Sequence, residues 1–80
     1  MAKIEVVVPE FAAGAESIKL RQWFFKECDA VKKLDELAEC VTDKINVFIE
    51  APADGKLLEL MAEEGDRVNV GQTVAIIETE

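Results

Sequence analysis

The sequence predicts an all-β fold, a flattened barrel or sandwich of two small antiparallel sheets related by an internal pseudo-twofold. Three observations predict it. Short β-branched runs such as Ile4-Glu5-Val6-Val7-Val8 and Val74-Ala75-Ile76-Ile77 are bounded by Pro, Gly and Asp. Ile45, Val47 and Ile49 alternate with Asn46, Phe48 and Glu50, the pattern of a half-buried strand. The chain also repeats itself. Displaced by 37 positions, Lys19-Leu20 falls on Lys56-Leu57, Glu27 on Glu64, Asp29 on Asp66, Val31 on Val68, Ala38 on Ala75 and Thr42 on Thr79.

The elements follow in order. Ile4 to Val8 is a strand closed by Pro9, whose missing N–H ends a ladder. Phe11 to Glu16 is a small, aperiodic loop leading to a second strand over Ser17 to Phe25. Trp23, Phe24 and Phe25 are read as core, although three consecutive strand residues cannot share one face, so at least one must point elsewhere. Val31, Leu34, Leu37, Ala38 and Val41 also suit an amphipathic helix. The repeat decides against it, because the matching stretch of the second copy is strand-like: Leu57 to Ala62, a turn at Glu64-Gly65-Asp66, then the run from Val74. The opening strands correspond at an offset of 41, with Gly14 answering Gly55, so the two offsets imply a four-residue insertion between Gly14 and Lys19. Each half is then strand, loop, strand, turn, strand, and the two halves are expected to bury their apolar sides against each other.

Eighty residues are expected to form one domain, 1–80, burying about 60 to 65% of the surface that the unfolded chain exposes. Seventeen acidic against nine basic residues give a net charge of -8, which repels nucleic acid and anionic lipid and favours basic protein surfaces. No apolar run reaches 18 residues and the opening residues do not form a secretory leader, so neither a membrane partner nor export is expected. Cys28 and Cys40 are expected to be free thiols. They form no C-x-x-C and the chain has no histidine, so no metal site is expected. Nor does any nucleophile stand beside a base, so no catalytic residue is assigned.

Between the two copies, Asp43 and Lys44 separate two strand-like runs, as a tight hairpin turn would. Lys44 at such a turn points into water, and the pseudo-twofold puts the turn and the chain termini at opposite ends of the domain.

Together these residues resemble the lipoyl domains of the acyltransferase components of 2-oxo acid dehydrogenase complexes. The resemblance spans essentially the whole chain. It rests on Val8-Pro9-Glu10, Lys26-Glu27, Asp29-Ala30-Val31, Thr42-Asp43-Lys44, Ala51-Pro52-Ala53-Asp54-Gly55, Glu63-Glu64-Gly65-Asp66, Val68 and Val70-Gly71-Gln72. It implies a non-catalytic carrier, part of a dihydrolipoamide acyltransferase, with lipoic acid in amide linkage on Lys44 as a swinging arm. The implied partners are a lipoate ligase or lipoyl transferase, a thiamine-diphosphate-dependent 2-oxo acid decarboxylase, the acyltransferase catalytic domain and dihydrolipoamide dehydrogenase. Thr42, Asp43 and Ile45 are implied in recognition by the ligase or partners, and Gly14, Ala15 and Glu16 of the inserted loop in contact with the decarboxylase. The implied location is the bacterial cytoplasm or the mitochondrial matrix. The chain departs from the family pattern at two positions. Cys28 stands where the family usually has glycine, and at a left-handed backbone it would be strained by about 1 to 2 kcal/mol. Val41 stands where glutamate commonly precedes Thr-Asp-Lys.

Two other carrier classes compete. A biotinyl carrier domain of a biotin-dependent carboxylase shares the architecture, but its lysine is usually flanked by methionines, whereas Lys44 lies between Asp43 and Ile45. A phosphopantetheine carrier would be helical and modified on serine, and the sole serine, Ser17, is not in an Asp-Ser-Leu setting.

Overall fold

A computed structural model describes residues 2–10, 18–42 and 45–79. They form eight strands: β1 (Ala2–Val7), β2 (Ile18–Trp23), β3 (Ala30–Val31), β4 (Glu36–Val41), β5 (Asn46–Glu50), β6 (Gly55–Leu60), β7 (Arg67–Val68) and β8 (Thr73–Thr79). Two four-stranded antiparallel sheets result, in the orders β1-β8-β6-β3 and β5-β4-β2-β7. Replacing each strand of the first sheet by its repeat mate gives the second in the same order, which is the predicted pseudo-twofold.

The symmetry extends to single hydrogen bonds. The Leu20 N–H donates to the Asp66 carbonyl at 2.8 Å, and the Leu57 N–H donates to the Asp29 carbonyl at 2.8 Å. Asp29 Oδ2 accepts from the Lys26 N–H at 2.8 Å, and Asp66 Oδ2 accepts from the Glu63 N–H at 2.9 Å. In both turns a carboxylate satisfies a backbone donor that no ladder reaches, which explains why aspartate recurs at this position. Side chains interlock on the same scheme. Leu20 and Leu57, Leu37 and Val74, and Cys40 and Ile77 are mates, and all six are buried. Each fully buried leucine contributes roughly 1.5 to 3 kcal/mol relative to exposure.

Four sequence expectations need correction. The halves are not the layers: β4 pairs with β5 and β8 with β1, so each sheet draws two strands from each half. Exchanging end strands lets each half satisfy the other's open ladder as well as cover its apolar side. The offset between the opening strands is 43 rather than 41, because Val6 faces Ala75 as Ile49 faces Ala38, and Val7 faces Thr73 as Glu50 faces Glu36. Pro9 thus matches Pro52, the insertion is six residues (43 against 37), and Gly55 answers Ile18 rather than Gly14. A slip of two residues leaves the same side chains facing inward, so the apolar alternation could not detect it. Each half also holds four strands rather than three, since β3 and β7, two residues each, are too short to show a period. Of the three aromatics, Trp23 and Phe25 pack against the core, but Phe24 is 45% exposed. Its N–H bonds the Leu37 carbonyl at 2.8 Å, one residue past the end of β2, where the chain bends and the Phe24 ring lies against Phe48 instead of the core.

The ambiguous stretch is strand: Glu36–Val41 is β4. Cys28, at φ 78°, lies in the left-handed region like its mate Gly65 at 95°. The next turn repeats the arrangement with Leu34 at 77° and Gly71 at 85°, a second strained position that the sequence reading missed. At Gly55 the constraint is one of space, because an added Cβ would lie 2.7 Å from Ile77 Cγ2 and against the Glu78 carbonyl of β8.

Candidate functional site

The β4–β5 connection is where the two copies join. The ladder runs up to Val41 opposite Asn46. Beyond it Thr42 and Ile45 close the hairpin: the Thr42 N–H donates to the Ile45 carbonyl at 2.9 Å, and the Thr42 hydroxyl donates to the same oxygen at 3.1 Å. The Ile45 N–H donates in turn to Thr42 Oγ1 at 3.0 Å. A threonine suits this place because one hydroxyl both accepts and donates, tying the two strand ends across a two-residue interval. That interval is Asp43 and Lys44, which lie outside the described residues, as do Gly14, Ala15 and Glu16 of the inserted loop. Of the six predicted recognition residues, the structure therefore brings together Thr42 and Ile45.

At the offsets of 37 and 43, the mates of Thr42 and Ile45 are Thr79 and Ala2. These two are also directly opposed, with Thr79 Oγ1 donating to the Ala2 carbonyl at 3.3 Å. Where one copy of the motif continues through Asp43 and Lys44, the other separates into the two terminal strands.

Below the hairpin a polar brace holds β5 to β4 and β2. Glu39 is only 7% exposed, and both its oxygens are engaged. Oε1 accepts from Arg21 Nη1 at 2.7 Å, and Oε2 accepts from Asn46 Nδ2 at 3.0 Å. A carboxylate this sheltered is tolerable because it is hydrogen-bonded on both sides and paired with a cation. Asn46 is the first residue of β5, so the brace fixes the strand that leaves the hairpin. The sequence reading missed it. The available signal was the repeat, which sets Glu39 against the apolar Ile76.

Cys40, next along β4, is buried, and its thiol is pushed up to about 11, first by burial and then by the neighbouring Glu39 carboxylate. It stays a neutral thiol and packs as a small apolar side chain. Cys28 is free as well, and exposed. Among the described residues, no group of acidic or cysteine side chains is arranged to hold a metal ion. The hairpin end thus offers no reactive constellation among those residues; what it supplies is a rigid mount for the two residues between Thr42 and Ile45.

The Biotin_lipoyl family model, described as "Biotin-requiring enzyme", matches residues 4–77. The chain is 40% identical over 73 residues to the dihydrolipoyllysine-residue succinyltransferase component of the 2-oxoglutarate dehydrogenase complex of Staphylococcus saprophyticus, covering 91% of this chain and 17% of that protein. It is 41% identical over 70 residues to the dihydrolipoyllysine-residue acetyltransferase component of the pyruvate dehydrogenase complex of Bacillus subtilis, covering 88% and 16%. Over all 80 residues it is 32% identical to the lipoamide acyltransferase component of the branched-chain alpha-keto acid dehydrogenase complex of the same organism, 19% of that protein. The chain therefore spans less than a fifth of these relatives. Among solved structures, the lipoyl domain of the 2-oxoglutarate dehydrogenase complex from Azotobacter vinelandii superposes with a TM-score of 0.75 at 28% identity, covering 95% of this chain and 96% of that one.

Proposed function

The chain belongs to the biotinyl/lipoyl family as a lipoyl-type carrier domain, and from that premise we propose that Lys44 is its point of attachment for lipoic acid. The observation that carries the proposal is the Thr42–Ile45 closure, which leaves only Asp43 and Lys44 between two paired strands. An amide-linked carrier group needs a primary amine on a long side chain, at a place a ligase can reach and whose position the fold determines. Lys44 is the only amine in that interval.

The fold and the arm divide the work. Ladder hydrogen bonds and the Glu39 brace fix where the strand ends on either side of the turn stand, and the length of a lysine side chain with its attached group supplies reach, so position comes from the fold and reach from the arm. The lipoyl group, when attached, supplies a dithiolane able to take up an acyl group with reduction. Amide formation removes the Lys44 ammonium and leaves Asp43 as the local anion. Asp43 and Thr42 help the ligase read and orient the turn and take no part in acyl transfer. Ile45, described at the base of the turn, presents an exposed apolar side chain to the same enzyme. Residues Gly14, Ala15 and Glu16 of the inserted loop meet the decarboxylase.

In this reading the domain visits a thiamine-diphosphate-dependent 2-oxo acid decarboxylase, an acyltransferase catalytic domain and dihydrolipoamide dehydrogenase. It works in a bacterial cytoplasm or a mitochondrial matrix. Biotin is disfavoured because Lys44 lacks flanking methionines and the superposed solved structure is a lipoyl domain. The experiment is reductive acylation of the lipoylated chain by purified decarboxylases for pyruvate, 2-oxoglutarate and branched-chain 2-oxo acids. One should acylate the domain at least tenfold faster than the others; no acylation by any of them would end the proposal.

A further inference from the structure

Phe24 and Phe48 are both exposed, at 45% and 42%, and lie against each other on the outer face of the β5-β4-β2-β7 sheet. Their ring centroids are 6.1 Å apart and the planes are inclined at 35°. Phe48 and Glu50, two residues apart on β5, share one face, and Glu50 stands directly opposite Glu36 of β4. Like charges directly opposed across an antiparallel pair are unfavourable. Neither carboxylate has a basic partner, since Arg21–Glu39 is the sole ion pair among the described residues.

The other half of the chain acts as an internal control. At the same places it has Met61 for Phe24, Glu5 for Phe48, Thr73 for Glu36 and Val7 for Glu50, with Thr73 Oγ1 donating to Glu5 Oε1 at 2.6 Å. The fold can therefore fill these positions without an aromatic pair and without opposed carboxylates. What distinguishes the β5-β4-β2-β7 sheet from its counterpart is an apolar, π-faced platform with two unpaired negative charges beside it, on a chain of net charge -8.

We propose that this face is a docking surface for an arginine-bearing segment of a protein partner. A guanidinium is flat, weakly hydrated and cationic, so it stacks on aromatic faces and forks onto carboxylates, the two features that meet here. A compact ammonium would use the charge but gain less from the rings. A second copy of this chain is disfavoured as occupant because the Glu36–Glu50 pairs would face each other. The patch begins about 7 Å along β5 from Asn46, at a rise of about 3.3 Å per residue, so a partner held there would also sit near the hairpin end. The inference does not require that Lys44 be modified.

The test is an NMR titration of the 15N-labelled chain with blocked Gly-Arg-Gly, Gly-Lys-Gly and Gly-Glu-Gly peptides, and sedimentation of the chain alone over a range of concentrations. The amides of Phe24, Leu37, Phe48 and Glu50 should shift saturably with the arginine peptide, at lower concentrations than with lysine and not with glutamate. Phe48→Ala, and the Glu36→Gln/Glu50→Gln double variant, should each weaken arginine binding at least threefold. The double variant, altered only at exposed positions, keeps the test open should Phe48→Ala misfold. Equal shifts from the arginine and glutamate peptides, or unchanged affinity in the double variant, would overturn the proposal. So would self-association of the chain that Phe48→Ala abolishes, which would assign the face to a second copy.

Discussion

Replacing Cys28 with glycine should stabilise the domain. Cys28 has φ 78° and its mate Gly65 has φ 95°, in turns whose other geometry is the same: the Cys28 N–H meets the Leu57 carbonyl at 2.6 Å, and the Gly65 N–H meets the Leu20 carbonyl at 2.7 Å. An L-residue in the left-handed region is strained by about 1 to 2 kcal/mol. Glycine removes that strain but gives the unfolded chain more freedom, which offsets about 0.4 to 1 kcal/mol. Cys28 is exposed, so little packing is lost. The net expectation is a gain of about 1 kcal/mol, raising the melting temperature by roughly 4 to 8 °C for a domain of this size. The reciprocal change provides the control. Nothing lies within 4 Å of a Cβ built on Gly65, so Gly65→Ala introduces backbone strain without a clash and should lose about as much. Urea unfolding under reducing conditions measures both, with the midpoints moving in opposite directions and the m-value unchanged. If Gly65→Ala destabilised the domain while Cys28→Gly left the midpoint in place or lowered it, the idea that backbone strain governs position 28 would be wrong.

Other perturbations have definite outcomes. Cys40 has a folded-state value of about 11 against an ordinary 9.0, so its stabilising contribution is complete below pH 9 and lost as pH rises from 9 to 11, by about 2 to 3 kcal/mol. Urea midpoints measured across that window should fall less steeply for Cys40→Ala than for the parent chain, and iodoacetamide at neutral pH should label Cys28 alone. Trp23→Phe removes the Nε1–H bond to the Ala62 carbonyl at 2.9 Å, and should lower stability by about 1 to 2 kcal/mol in the same assay. Gly55→Ala forces a methyl against Ile77 and the Glu78 carbonyl, and should cost about 1 to 3 kcal/mol. Asp43→Ala should slow or misdirect lipoylation with the thermal midpoint unchanged. Exchanging residues 12–16 for those of another lipoyl domain should alter reductive acylation, measured as initial rate, and leave lipoylation as it was.

The strands and their pairing of copies were legible because the second half of the chain is regular. Leu57 to Ala62 and Val74 to Ile77 show β patterning plainly, and the 37-residue repeat carries it onto Val31–Val41, where periodicity alone suggests helix. The alignment of β1 with its repeat mate β5 was not legible, because a strand pattern with a period of two is unchanged by a shift of two; only the turn residues could have revealed it, by placing Pro9 over Pro52. Nor was the exchange of end strands between sheets, since alternation reports which side is buried and not which neighbour pairs. At the hairpin, Thr42 and Ile45 were singled out by resemblance, and the closure they make is backbone chemistry that a threonine before a turn announces only weakly. Glu39 escaped notice because an acidic residue in a strand is ordinarily a solvated one, and its burial depends on Arg21 and Asn46 reaching it from two other strands. Leu34 escaped because its own turn, Lys32 to Asp35, lacks the glycine that its mate retains at Gly71.

One lysine out of seven, Lys44, is the proposed carrier position. Incubating the purified chain with lipoate, ATP and a lipoate ligase, followed by intact mass measurement and peptide mapping, tests it directly. One lipoyl group per chain, located on Lys44 and lost in Lys44→Arg with the melting temperature retained, is the predicted result. No incorporation, incorporation at another lysine, or transfer of biotin by a biotin ligase in its place would contradict it.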